Sequence, residues 1–315
     1  MPLRYARLFI DNVITTKDGY ALHRLSKFVS TPGLEYTLAG TDVGEIKYYI
    51  CSGIGTNTDA DIVIADAVDG VLVTEIGDTA FIGKDIVSVY IPDSVTKIGY
   101  RAFETCTSLL GVEIPHSVIN ISTQAFLGCK SLESVIIHEG VQTIGQRAFT
   151  ACGVRSIEIP HSMTQIGIGA FHQCSSLESV TLNTGVQIID NTAFFACPIQ
   201  MITIPSSVTT IGDQAFSYCD SLNSVILEEG VQKIGKGAFS YCTALSSIEI
   251  PVSVTSIGDE VFTKAGLNSI TYAGTAEQWN AIEKKVESGE VWKLSSERNI
   301  RVYCADGTEL IIMSQ

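Results

Sequence analysis

Nowhere in the 315 residues do about eighteen apolar side chains follow one another, so the sequence offers no transmembrane helix. Positive charge is scarce as well. Twenty Lys and Arg against 34 Asp and Glu leave a formal charge of -14, which repels phosphate backbones and anionic lipid. Neither nucleic acid nor membrane insertion is expected. The opening "MPLRYARLFIDNVITTKDGY" lacks the long apolar stretch and small-residue cleavage site of a secretory leader, because "LFI" is cut at once by Asp11 and Asn12. Catalytic signatures are missing too. "CSGIGTNTD" has Gly53 and Gly55 without a third glycine, and "HEGVQ" at His138 fails the H-E-x-x-H pattern. No G-x-S-x-G occurs, and no acid, base or nucleophile set converges, so neither an enzyme nor a cofactor is expected.

What the chain has is repetition. Phenylalanine in Ala-Phe, once Val-Phe, falls at Phe81, Phe103, Phe126, Phe149, Phe171, Phe194, Phe216, Phe239 and Phe262, spaced 22 or 23 residues apart. An isoleucine stands five residues before each one. Within "SLESVIIHEG", Leu132, Val135 and Ile137 follow L-x-x-V-x-I, which predicts a short strand over Ser134 to Ile137 with Val135 and Ile137 facing inward. Ile144, Ala148, Phe149 and Cys152 are spaced as one face of a short helix or helical turn. One such coil buries too little apolar surface to fold alone, so stability requires stacking neighbours into an array. The expected architecture is an α/β solenoid, curved, with short parallel strands on the concave face and short helices or turns on the convex face.

The units "IPDSVTKIGYRAFETCTSL", "IPHSMTQIGIGAFHQCSSL" and "IPSSVTTIGDQAFSYCDSL" repeat almost letter for letter. They resemble the BspA-type leucine-rich repeat proteins. The resemblance implies a repeat fold and non-catalytic recognition of a protein or cell-surface ligand, adhesin-like, at the cell surface or outside the cell.

Organisation follows from where the pattern starts and stops. Residues 1–33 fit no repeat and mix apolar with basic side chains, which suggests an anchor that docks on another chain. That segment motivates an alternative, a structural subunit of a virion or appendage. Residues 34–65 are expected to cap the first coil, 66–271 to form nine coils, and 272–315 to close the stack. In that last stretch Thr275 and Gln278 make a capping box, Trp279, Ile282 and Val286 an amphipathic helix, and Asp306-Gly307 a hairpin turn.

Seven of the nine cysteines stand three residues after the repeat phenylalanine. Buried packing is the expected role, since the spread convex side would exceed the roughly 4.4–6.8 Å Cα separation of a disulfide and no zinc spacing occurs. Asp59, Asp61, Asp66 and Asp69 cluster before the first coil, but Ile62 and Val68 stand where a calcium loop needs Gly and Glu, so a solvated loop is expected. His116 and His161 read as exposed turn residues.

Specificity must then lie where the coils differ. The most variable strand column reads Tyr90, Glu113, Ile136, Glu158, Thr181, Thr203, Ile226, Glu249 and Thr271, and Arg155 stands in a neighbouring column that includes Glu133, Glu178 and Asn223. Serine dominates the floor between them. These ten residues are the candidate partner-binding face, and replacing Tyr90, Ile136 and Ile226 by Ala is expected to weaken binding without unfolding. From Glu113 onward the coils also alternate between an "IPxS" and an "EG" or "TG" form, which keeps glutamates about two rungs apart.

Overall fold

The computed structural model describes residues 13–15, 21–23, 30–39, 47–285, 293–295 and 299–313. Each repeat makes one turn of a solenoid of about ten turns, and each turn carries two short strands where the sequence suggested one. The L-x-x-V-x-I segments form a parallel front sheet of eight strands from Asp61–Val63 to Ser224–Leu227. The missed second strand lies at the recurring isoleucine, as in Thr143–Ile144 and Lys233–Ile234, and builds a 13-stranded back sheet. Both ladders run in register from coil to coil, with Glu113 opposite Ile136 in front and Ile121 opposite Ile144 behind. Two-residue strands carry almost no periodicity of their own, which is why a sequence pattern does not show them.

The arc through Ala-Phe is a chain of turns, and the helical half of the α/β expectation is not found there. The single helix among the described residues is Ala276–Ala281 in the terminal cap. In every coil the residues two before and two after the phenylalanine, such as Arg101 (φ 54°) and Thr105 (φ 56°), adopt left-handed backbone that breaks a helix. The gain is a third set of bonds between coils. Phe103 N–H donates to Ala125 O at 2.7 Å and Thr105 N–H to Leu127 O at 2.7 Å, while Ala102 and Glu104 close turns within the coil. A helix would spend all these donors internally and offer none to its neighbour.

Packing follows the same translation. Nine fully buried phenylalanine rings stack along the arc with centroids 5.1 to 6.0 Å apart. Each of the seven array cysteines donates its Sγ–H to the carbonyl of the preceding coil's phenylalanine at 3.0 to 3.2 Å, as Cys152 does to Phe126. Coils approach so closely behind that a Cβ on Gly235 would lie 2.5 Å from the backbone N of Asp213.

The alternation of coil types has a backbone cause. Where an "IP" coil is followed by an "EG" coil, His138 N–H reaches Ile114 O and Glu228 N–H reaches Ile204 O, and four residues pair at each such step. In the opposite step the equivalent donor is Pro160, Pro205 or Pro251, which has no N–H. Pairing there shrinks to Ser134 with Ser156 and Ser179 with Met201. Among the described residues Ser224–Leu227 and Glu249–Ile250 are not paired at all, and the front ladder restarts as a separate four-stranded sheet. Side chains bridge the weak steps. Glu139 Oε1 and Oε2 accept from His161 N and Ser162 N at 3.0 and 2.9 Å, and Ser162 Oγ accepts from Gly140 N at 2.8 Å. Glu229 grips Val252 N and Ser253 N in the same way at 3.2 and 3.1 Å.

Elements outside the repeat pair with the array at both ends. Glu35–Ala39 pairs antiparallel with Tyr48–Gly53 and ends the back sheet, while Thr31 exchanges hydrogen bonds with Val63 in front. At the other end Thr275 caps the helix reciprocally with Gln278, Trp279 is buried against Tyr272, and Ile300–Cys304 with Glu309–Ile312 forms a hairpin on the front sheet. The helix expected to run through Ile282 stops at Ala281, with Ile282 extended at its end and Glu283–Lys285 joining the back sheet as a strand; Val286 lies outside the described residues, as does most of the 1–33 segment assigned to docking.

Candidate binding face

The front strands alternate inward and outward side chains, so one column of every rung is committed to the core and the next is free to vary. Val135, Ile157, Val180 and Val225 point inward and are buried. Tyr90, Glu113, Ile136, Glu158, Thr181, Thr203, Ile226, Glu249 and Thr271 all fall in the outward column, and the strand register sets Glu113 beside Ile136, Glu158 beside Thr181, Thr203 beside Ile226 and Glu249 beside Thr271. Their exposure is uneven. Tyr90 and Ile136 are half-buried, whereas Ile226 is 55% exposed, so only one of the three apolar residues chosen from sequence presents itself fully. Arg155 lies beside the column and is paired with Glu133 at 3.3 Å.

Sequence reasoning passed over Met201. It is 65% exposed and sits one rung from Ile226, on the serine floor, where Met201 pairs with Ser224 and Thr203 with Ile226. The available signal was its departure from serine in that column. Met201 and Ile226 thus put two exposed large apolar side chains on neighbouring rungs of one strip.

A cleft lies where the front ladder lapses. It has a volume of about 480 Å³ and opens between the unpaired strands, lined by Ser224, Ile226, Glu229, Ser247, Glu249 and Thr271. Three candidate residues, Ile226, Glu249 and Thr271, meet there. The cleft joins an apolar stud, hydroxyls and an exposed carboxylate. Further along the edge, His138 Nε2 contacts Glu113 Oε1 at 2.5 Å, and this hydrogen bond holds the imidazole above its ordinary pKa.

The BspA type leucine-rich repeat region matches residues 74–198 and 142–271 with 6 copies, which together span well over half of the chain. The chain belongs to the BspA-type leucine-rich repeat family. Among solved structures, the leucine-rich repeat protein TpLRR of T. pallidum is 28% identical over 70% of this chain and 91% of its own, with a TM-score of 0.51. A leucine-rich cell surface protein from Faecalibacterium prausnitzii matches at 20% identity over 83% of this chain and 99% of its own, with a TM-score of 0.43. A leucine-rich repeat protein from Bacteroides ovatus matches at 22% over 84% and 100%, with a TM-score of 0.44. No curated protein matches the chain.

Other candidates of the sequence lie outside the variable outward column of this BspA-type array. All nine cysteines are free and buried, and burial pushes the thiols of Cys106 and Cys219 up to about 12. Asp61 begins the front sheet and accepts from Ser88 Oγ at 2.6 Å, while Asp66 and Asp69 flank a small hairpin on the back sheet. Among the described residues no group of three or more His, Cys, Asp or Glu is placed to hold a metal ion, and no helix is long and apolar enough to cross a membrane. His116 and His161 are exposed beside Asp93 and Glu139 at 3.5 and 3.1 Å.

Proposed function

We propose that this chain is a non-catalytic recognition scaffold, adhesin-like and displayed at the cell surface, that binds a protein ligand across its front strands with the cleft at Ile226 and Glu249 as the centre. One observation carries the reading. In a stack whose inner positions repeat coil after coil, the outward strand column changes from rung to rung, and that strip also holds the exposed Met201 and Ile226 and the lapse in the ladder. Membership in a repeat family supports the scaffold part of the reading, and the surface location rests on the same membership.

The test is selection of peptides from a display library on the full chain, followed by binding to two variants. Met201→Asp with Ile226→Asp alters the strip, and Ile168→Asp alters an exposed apolar residue on the turn side. Selected peptides should lose on the order of tenfold or more in affinity for the front variant, as buried apolar contacts at an interface centre do, and keep their affinity for the turn variant. Peptides that bind all three alike would end the proposal.

A further inference from the structure

Charge is sorted across the array. Between residues 66 and 271 there are nine Lys and Arg, and Arg155 alone sits on the front strip, where Glu133 holds it. Lys97 and Lys233 lie on the back sheet, and the others lie on turns. The front strip instead exposes Glu113, Glu133, Glu158, Glu178 and Glu249. Over four successive rungs the carboxylates come one per rung, alternating between the two outward columns: Glu113, Glu133, Glu158, Glu178. The acidic balance of the whole chain does not require this, because the cations could have been shared among all faces.

We propose that the front face takes a basic, extended polypeptide segment, an inference that rests on the front strip being the binding face. Charge complementarity argues for the occupant. An acidic strip repels nucleic acid and anionic lipid and attracts Lys and Arg. Geometry argues for an extended one. Glu113 and Glu158 in one column, and Glu133 and Glu178 in the other, stand two rungs apart, about 9.6 Å at the usual strand spacing, and a polyproline II segment brings side chains to the same face every three residues, about 9.3 Å. The aliphatic stems of Lys and Arg can lie against Met201 and Ile226 while their charged ends reach the glutamates. The cleft offers Glu249 beside Ile226 for one such side chain.

The experiment measures binding of a Lys-Ser-Pro repeat peptide and a Glu-Ser-Pro repeat peptide to the full chain. Two variants with equal loss of negative charge are compared. One carries Glu113→Gln, Glu158→Gln, Glu178→Gln and Glu249→Gln; the other carries Asp66→Asn, Asp69→Asn, Asp220→Asn and Glu277→Gln, all exposed and off the strip. Thermal unfolding of each establishes that the fold is kept. The lysine peptide should bind, the glutamate peptide should not, and the strip variant should lose roughly tenfold or more while the control variant changes little. Added salt should weaken the contact. Equal loss in both variants would show bulk charge alone and overturn the basic occupant, as would failure of the lysine peptide to bind. Neither result touches the library selection on Met201 and Ile226, so the two readings fail separately.

Discussion

The turn side and the front side of each coil obey different rules. On the turn side, Phe149, Cys152 and their copies meet identical neighbours above and below, and the left-handed residues around each phenylalanine recur in all nine coils. On the front side the outward residue changes at nearly every rung, and the ladder itself thins at Pro160 and Pro205 and lapses before Glu249. The same backbone translation runs through both. What separates them is whether a side chain faces its own copy in a water-free stack or faces solvent, where only a partner would constrain it. Stability should therefore concentrate on the turn side and specificity on the front.

The largest expected effect tests that division directly. Phe149→Ala removes a ring stacked on Phe126 at 5.1 Å and on Phe171 at 5.4 Å and should cost about 3–5 kcal/mol in denaturant unfolding. Ile226→Ala on the front should change stability by no more than about 0.5 kcal/mol. Equal costs would erase the distinction. Next comes the close approach of coils behind the front sheet. Gly235→Ala places a methyl 2.5 Å from backbone that cannot move aside and should cost about 2 kcal/mol or more, whereas Gly70→Ala meets nothing within 4 Å and is limited to the strain of its left-handed backbone.

Most of the turn side was legible in the sequence because a buried stack leaves little freedom: the Phe, Cys, Val and Ile positions were all readable from their period. What was not legible is instructive. Ile144, Ala148 and Phe149 have helical spacing, yet the left-handed backbone at Arg147 and Ala151 depends on bonds to the adjacent coil, which no single coil can signal. The cysteines read as packing residues, and their bond to a phenylalanine carbonyl emerged only from the stacked geometry. On the front, the outward column was found by its variability, but exposure was not: Tyr90 and Ile136 are half-buried and Met201 went unnoticed. The lapse before Glu249 was also hidden, although Pro251, Pro205 and Pro160 carried its cause.

The thiols sharpen the comparison through pH. Burial raises Cys106 and Cys219 from the ordinary 9.0 to about 12. A folded-state pKa above the unfolded one means that the stabilising contribution is complete below about 9 and is lost as pH climbs toward 12. Urea midpoints should fall over that window, and alkylating reagents should label the array cysteines only as fast as the stack opens. Rapid labelling of Cys152 under native conditions would mean that the turn side is far looser than its bonds suggest.

The smallest effect belongs to the front edge, where Glu113 accepts from His138 in the neighbouring coil, both about half-exposed, with Asp93 also nearby. That hydrogen bond raises the histidine above its ordinary 6.5. The contribution is therefore fully present below about 6.5 and is lost as pH rises through the higher folded value. Exposure keeps it under about 1 kcal/mol, too small to decide whether the array folds. It is large enough for an NMR titration of His138, whose midpoint should lie above that of an isolated histidine and drop back in Glu113→Gln. A midpoint that ignores Glu113 would mean that contacts between coils on the front edge are dispensable even locally, and the contrast with the phenylalanine stack would become sharper still.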